Sequence, residues 1–261
     1  MNLPLFRVQD DPGPDFSRLL HRSGLGSPPI DGAVAPGDYV HGTTCVAIRF
    51  SDGVLLAGDR LATAGNLISR RTMEKVFPAD RFSGVAIAGA AGPAIEMVRL
   101  FQLQLEHYEK VEGTSLSLDG KANQLSQMIR GNLPAAMQGM AVVPIFAGYD
   151  LGRGEGRLYE FDITGGRYEE TDHVSTGSGS LHAGTVVKLG FRRDMTRGDV
   201  IDLAIEALFE AADEDSATGG PDPVRGIYPV VAAITASGYE RVEDADLAVR
   251  TQALIDRRRE D

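Results

Sequence analysis

From residue 43 onward, hydrophobic and polar positions fall into runs short enough to assign one at a time. Thr44, Val46, Ile48 and Phe50 alternate with Cys45, Ala47 and Arg49, which is the period of a β-strand. Ser51-Asp52-Gly53 is a hairpin turn signal, and Val54 to Gly58 predicts the returning strand. Another short apolar strand, Gly84 to Ala88, ends at Gly89. Pro93 suits the first turn of the helix that follows, where Ala94, Met97, Val98, Phe101, Leu105 and Tyr108 line one stripe. A second helix carries Ala122, Leu125, Met128, Ile129, Ala136 and Met137, with a kink expected at Pro134.

Between Val142 and Gly177 the pattern returns to short strands, turning at Asp150–Gly156 and at Thr164-Gly165-Gly166. Helical spacing resumes in Leu181–Leu189 and again in Ile201, Ala204, Ile205, Leu208 and Ala212. A strand at Tyr228–Thr235, a turn at Ala236-Ser237-Gly238 and a polar helix from about Glu243 complete the chain. Strands, two helices, strands, two helices is a segregated α+β order. It predicts a four-layer αββα sandwich, two antiparallel sheets with helices on each outer side. No linker interrupts 43–261, so that stretch is expected to be a single domain.

Residues 1–42 differ in kind. Pro4, Pro12, Pro14, Pro28, Pro29 and Pro36 punctuate them, and no periodicity is sustained. Composition alone leaves two readings open, a disordered tail and a segment removed by processing.

Charge narrows the functions available. The formal net charge of −11 argues against nucleic acid and against an anionic membrane surface as partners. No apolar run approaches the roughly 18–20 residues of a membrane span, and Asp10, Asp11 and Asp15 interrupt any signal-peptide core. The single cysteine, Cys45, rules out an internal disulfide and fits a reducing cytoplasm. Five histidines show no metal-ligand spacing, so neither a metal nor another cofactor is expected.

The candidate chemistry begins at Thr43. The first hairpin returns the chain beside its own start, so Asp59 should lie opposite Cys45 or Val46 and within side-chain reach of Thr43. Lys75 could then pair with Asp59. Such a triplet can also be an accident of surface charge, because exposed Asp–Lys pairs are common and weak. A threonine hydroxyl is a poor nucleophile until a base takes its proton. If the bond after Gly42 is cut, the freed α-amine of Thr43, with a pKa of about 8, can be that base. A Lys75 ammonium nearby would lower the amine's pKa and favour its unprotonated form. Gly42 offers no side chain to obstruct the hydroxyl's approach to its own peptide carbonyl.

A resemblance then becomes visible. His41-Gly42-Thr43-Thr44-Cys45-Val46, Ala57-Gly58-Asp59-Arg60, Lys75-Val76-Phe77 and Ile87-Ala88-Gly89 resemble the opening of proteasome β-subunits. Ala147-Gly148-Tyr149-Asp150, Thr176-Gly177-Ser178-Gly179-Ser180 and Asp215-Ser216-Ala217-Thr218-Gly219-Gly220 extend it, in order, across 43–261. The arm, Arg130-Gly131-Asn132-Leu133 and Gly219-Gly220-Pro221-Asp222 are most similar to the actinobacterial 20S type.

The resemblance implies the N-terminal nucleophile hydrolase fold, a propeptide over 1–42 and a single catalytic domain over 43–261. It implies a threonine endopeptidase cut from its propeptide between Gly42 and Thr43, with Thr43 as nucleophile and Asp59 and Lys75 in support. Ser178, Asp215 and Thr218 match positions that orient the terminal amine and its water, although many family members carry serine where Thr218 stands. Gly89 matches the oxyanion-hole donor. Thr63, Gly89 and Ala91 would hold a substrate as an added strand, and Ala62, Met73, Phe77, Ile87, Ala91 and Ile95 would line an apolar pocket for the residue before the scissile bond. Implied partners are α-subunits, further β-subunits in two heptameric rings, a regulatory ring ATPase and unfolded or tagged protein substrates, in the cytoplasm.

Alternatives are a non-catalytic ring subunit of the same fold, and the simpler bacterial two-component peptidase, whose shorter subunits fit less well with 261 − 42 = 219 mature residues. A further one is an amidohydrolase with Cys45 as its terminal nucleophile. Gly89-Ala90-Ala91-Gly92 and Gly120-Lys121 lack the spacing of phosphate-binding loops, and Ser178 is not in a nucleophile elbow.

Overall fold

A computed structural model describes residues 42–64 and 67–260, all within one unit spanning residues 36–261. The expected propeptide, apart from Gly42, lies outside the described residues. Two five-stranded antiparallel sheets dominate. The first has the order β10-β1-β2-β11-β12, from β1 (Thr44–Phe50), β2 (Gly53–Gly58), β10 (His173–Gly177), β11 (Val230–Thr235) and β12 (Gly238–Arg241). The second is β5-β6-β7-β8-β9, from β5 (Val76–Asp80), β6 (Ser83–Ala86), β7 (Ile145–Asp150), β8 (Glu155–Phe161) and β9 (Arg167–Glu170). A small hairpin, β3 (Ala62–Ala64) with β4 (Leu67–Arg70), stands apart.

Helices α1 (Ala91–Glu112) and α2 (Leu118–Gly131) pack on the second sheet, where Ala94, Phe101, Leu125 and Ile129 meet Val85, Phe146 and Tyr159. A single turn, α3 (Leu133–Ala136), follows. Helices α4 (Ser180–Gly190), α5 (Arg197–Glu214) and α6 (Asp244–Glu260) cover the first sheet. The layers are therefore αββα.

Strand alternation here separates two cores rather than core from solvent. Val46, Ile48, Leu55, Ala57, Val231 and Ala233 face the helices. Their neighbours Cys45, Ala47, Val54, Leu56, Ala232 and Ile234 face the other sheet, against Ala86, Ile145 and Ala147. Small residues on that inner face let the sheets interlock closely, as their packing requires.

Several expectations shift. Gly53 joins β2, leaving a two-residue turn, so the register is Phe50↔Gly53 and Cys45↔Gly58. Asp59 thus falls opposite Thr44, its amide donating to Thr44 O at 3.1 Å, one residue nearer Thr43 than expected. The second helix does not reach Met137: it ends at Gly131, and Pro134 sits in the first turn of the separate α3. Met137 is 77% exposed, so it was never part of a core stripe. Tyr108 likewise stands at the margin of the α1 stripe, exposed. The sequence reading also passed over β3, β4, β5 and β12. These strands are short, β4 is wholly exposed, and β5 contains Pro78, which is tolerable because β5 is an edge strand.

Candidate active site

One end of the first sheet gathers the candidate residues because several elements begin or stop there. Thr43 precedes β1, Asp59 follows β2, Ser178 follows β10, and Asp215 and Thr218 follow α5; Lys75 enters from the start of β5. Gly177 makes the close approach possible. Its φ is +103°, and a Cβ there would lie 1.7 Å from Thr43 O, a position only glycine can occupy. The next amide, Ser178 N, donates to Thr43 O at 2.8 Å.

Asp59 and Lys75 are completely buried and paired at 2.6 Å. Burying two charges is costly unless every remaining valence is met, and here each is. Asp59 Oδ1 accepts the Thr44 amide at 2.8 Å as well as Lys75, while Oδ2 accepts the amides of Leu61 and Gly219, both at 2.9 Å. Lys75 Nζ donates to Asp59 Oδ1 at 2.6 Å, to Leu61 O at 2.6 Å and to Gly42 O at 3.4 Å. Three acceptors match the three protons of an ammonium.

The same Gly42 carbonyl receives the Thr43 hydroxyl at 2.8 Å. Gly42 N donates to Thr63 Oγ1 at 3.3 Å. A Cβ on residue 42 would lie 1.8 Å from Ala217 Cβ, so the loop after α5 admits only glycine before Thr43. Thr43, its preceding carbonyl and a buried cation thus meet at one point, where polarising that carbonyl and activating that hydroxyl are both feasible.

Asp215, just after α5, is held by hydrogen bonds of its own. Burial would raise its pKa, but hydrogen bonds from Ser178, Thr218 and the Ala217 amide outweigh that and hold the carboxyl below the usual range. Ser178 and Thr218 both donate to Asp215 Oδ2, at 2.5 and 2.6 Å.

The sequence profile described as "Proteasome subunit" matches residues 39–224. The chain belongs to the proteasome subunit family. It is 60% identical over 246 residues to a protein named "Proteasome subunit beta" from Acidimicrobium ferrooxidans, covering 94% of this chain and 90% of that one. A protein of the same name from Streptomyces griseus is 55% identical over 233 residues, covering 89% and 82%. Membership in the proteasome family makes this an N-terminal nucleophile hydrolase fold in a family of proteases that assemble with α-subunits.

The other predicted residues of this proteasome chain come from the second sheet, the β3–β4 hairpin and the start of α1. Gly89, with φ +103°, bridges Val142, and a Cβ there would strike Ala141 O at 2.1 Å. Its neighbours take up the ladder, Ala90 N donating to Ala141 O and Val143 N to Ala88 O, which turns the amide of Gly89 to the other side. Ile87 is buried, and Phe77 and Ile95 pack half-buried on the same core. Ala62 sits on β3, Ala91 opens α1, and Met73 is half-buried with its amide on Arg60 O. A cavity of about 560 Å³ lies elsewhere, between α1 and α2, and none of these residues lines it.

Cys45 is fully buried between the sheets, its thiol 3.5 Å from Ile87 O. Burial, outweighing the pull of Lys75, pushes its pKa up to about 12. Sequence reasoning missed the supporting groups of Leu61, Gly179 and Gly219, and the side chain of Thr44. Backbone groups carry no residue-type signal, and Thr44 reads only as a strand residue.

Proposed function

We propose that this chain is the catalytic β-subunit of a 20S proteasome, made as a precursor whose residues 1–42 are removed to free Thr43. One observation carries the reading: the Thr43 hydroxyl lies 2.8 Å from the carbonyl oxygen of the bond to be cut, and the buried Lys75 reaches that same oxygen. In self-cleavage Thr43 Oγ attacks the Gly42 carbonyl carbon, the C–N bond breaks, and the nitrogen takes up the proton the hydroxyl gave up to become the α-amine. Water then hydrolyses the Gly42–Thr43 ester. In the mature enzyme the α-amine takes the hydroxyl proton as Oγ attacks a substrate carbonyl; the scissile C–N bond then breaks, the departing amine takes that proton, and water hydrolyses the acyl-enzyme ester. Lys75 supplies positive charge and Asp59 holds it in place. Ser178, Asp215 and Thr218 orient the amine, and the amide of Gly89 receives the oxyanion.

Substrate would add as a strand along Thr63, Gly89 and Ala91. Ala62, Met73, Phe77, Ile87, Ala91 and Ile95 would favour an apolar residue before the cut. Two heptameric β rings between α rings, fed unfolded or tagged proteins by a ring ATPase in the cytoplasm, are the assembly this reading entails. Among the described residues no helix is long and apolar enough to cross a membrane. Cys45, sealed between the sheets with a raised pKa, is poorly placed to be the nucleophile.

The test is the intact mass of the chain assembled with its α partner, with and without a threonine-directed inhibitor. A product beginning at Thr43, labelled there and absent in Thr43→Ala, is expected. A chain that stays whole and unlabelled in complete assemblies would identify a structural subunit instead.

A further inference from the structure

The backbone of Thr44 helps to hold Asp59, but its side chain has no role in the proposed chemistry. That side chain is wholly buried at the start of β1. Its hydroxyl oxygen accepts the Gly179 amide at 2.9 Å and lies 2.5 Å from Thr218 Oγ1. Thr218 has a single hydroxyl proton, and that proton is donated to Asp215 Oδ2 at 2.6 Å. The proton shared between the two threonines therefore belongs to Thr44. The chain of donors runs one way, from Gly179 N–H to Thr44, from Thr44 to Thr218, and from Thr218 to Asp215. A Cβ at position 179 would lie 2.6 Å from both hydroxyl oxygens, so residue 179 must be glycine for them to meet its amide.

We propose that Thr44 is a positioning residue for the peptidase, acting through Thr218; this rests on the peptidase reading above. With the Thr44 proton on one lone pair and its own proton on Asp215, Thr218 Oγ1 keeps a single acceptor direction. That direction is left for the freed Thr43 amine, which the peptidase reading sets beside Thr218. With one lone pair taken by Thr44, Thr218 has less acceptor capacity to offer a protonated amine. The amine is thereby kept available as a base. The charged groups around it are Asp59 beyond β2, Lys75 before β5 and Asp215 after α5, with His182 of α4 acting on Asp215. Removing the Thr44 hydroxyl frees a second acceptor direction on Thr218 and strands the Gly179 amide.

The experiment compares wild type, Thr44→Val and Thr44→Ser as mature subunits assembled with the α partner, assayed on a peptide substrate across pH. Thr44→Val is expected to lower kcat about tenfold or more with KM little changed, and to move the acidic limb of kcat/KM to higher pH. Thr44→Ser, which restores the hydroxyl, should recover both. Wild-type kcat and an unmoved acidic limb in Thr44→Val would overturn the proposal, as would equal losses in the valine and serine variants. If Thr44→Val fails to assemble, Thr44→Ala against Thr44→Ser gives the same contrast in side chains no larger than the native one. A wild-type chain unlabelled at Thr43 would instead sink the peptidase reading, and this proposal with it.

Discussion

Two charge clusters, one on each sheet, look alike as lists of residues and differ in what surrounds them. At the end of the first sheet, Asp59 and Lys75 are both fully buried, and backbone amides or carbonyls of Gly42, Thr44, Leu61 and Gly219 complete their valences. On the second sheet, Arg157 of β8 is buried, but of its partners, Asp119 and Glu169 are about half exposed and Asp150 keeps some contact with solvent. Its guanidinium binds Glu169 through two bonds of 2.7 Å and Asp119 at 2.8 Å, tying α2 to β8 and β9. One cluster fixes a cation against the Gly42 carbonyl; the other fastens elements together at a partly exposed rim. Burial of both partners, and the source of the remaining hydrogen bonds, distinguishes a positioning pair from a structural clasp.

The sharpest way to break that contrast is Lys75→Ala. It should abolish self-cleavage and inhibitor labelling, a loss of about a thousandfold or more, because the buried cation and its bond to Gly42 O go together. Lys75→Arg should fail too, since a planar fork cannot satisfy the same three acceptors. Mass spectrometry of assembled particles reads both; processing at the wild-type rate would reduce the pair to a clasp like that of Arg157.

Next in size, Gly42→Ala should slow self-cleavage about a hundredfold by pushing residue 42 off Ala217 and the carbonyl off Thr43 Oγ, because misplacements of about 1 Å cost that much. Time courses of propeptide loss would show it, and normal kinetics would mean that the loop after α5 yields.

Arg157→Met should leave labelling of Thr43 intact while lowering stability to denaturant by about 1–3 kcal/mol. Its hydrogen bonds hold Asp119 and Glu169 below the usual carboxylate range. Depressed folded-state values mean that this stabilisation is full above the unfolded carboxylate pKa of about 4 and is lost as pH falls through the folded values. Denaturant midpoints should therefore drop less steeply below pH 4 in the variant than in wild type. Parallel acid curves would detach the cluster from acid stability. Smallest of all, Cys45→Ala should cost about 1 kcal/mol as a small cavity and leave labelling at Thr43 unchanged. Labelling that disappears would reopen Cys45 as the nucleophile.

Much of this molecule could be read from residue order. Alternation in Thr44–Phe50 and the apolar stripe from Ala94 to Leu105 specify elements locally, because period and face are properties of neighbours in the chain. The pairing of Asp59 with Lys75 beside Thr43 followed from a hairpin and a charge. Its register was one residue off, since whether Gly53 belongs to the turn or to β2 depends on pairing with Thr235 of β11. The strands β3 to β5 and β12 escaped because their short or exposed runs carry no period.

What the sequence determined by itself is the set of side chains able to do chemistry and the local elements that carry them. Only the tertiary structure decided that Lys75 meets Gly42 O, that Gly219 and Leu61 amides complete Asp59, and that the Thr44 hydroxyl meets that of Thr218 across 174 residues. The reason is physical. These contacts join chain segments that share no local period, many of their donors and acceptors are backbone groups present at nearly every residue, and their selection waits on which strand ends the packed sheets bring together.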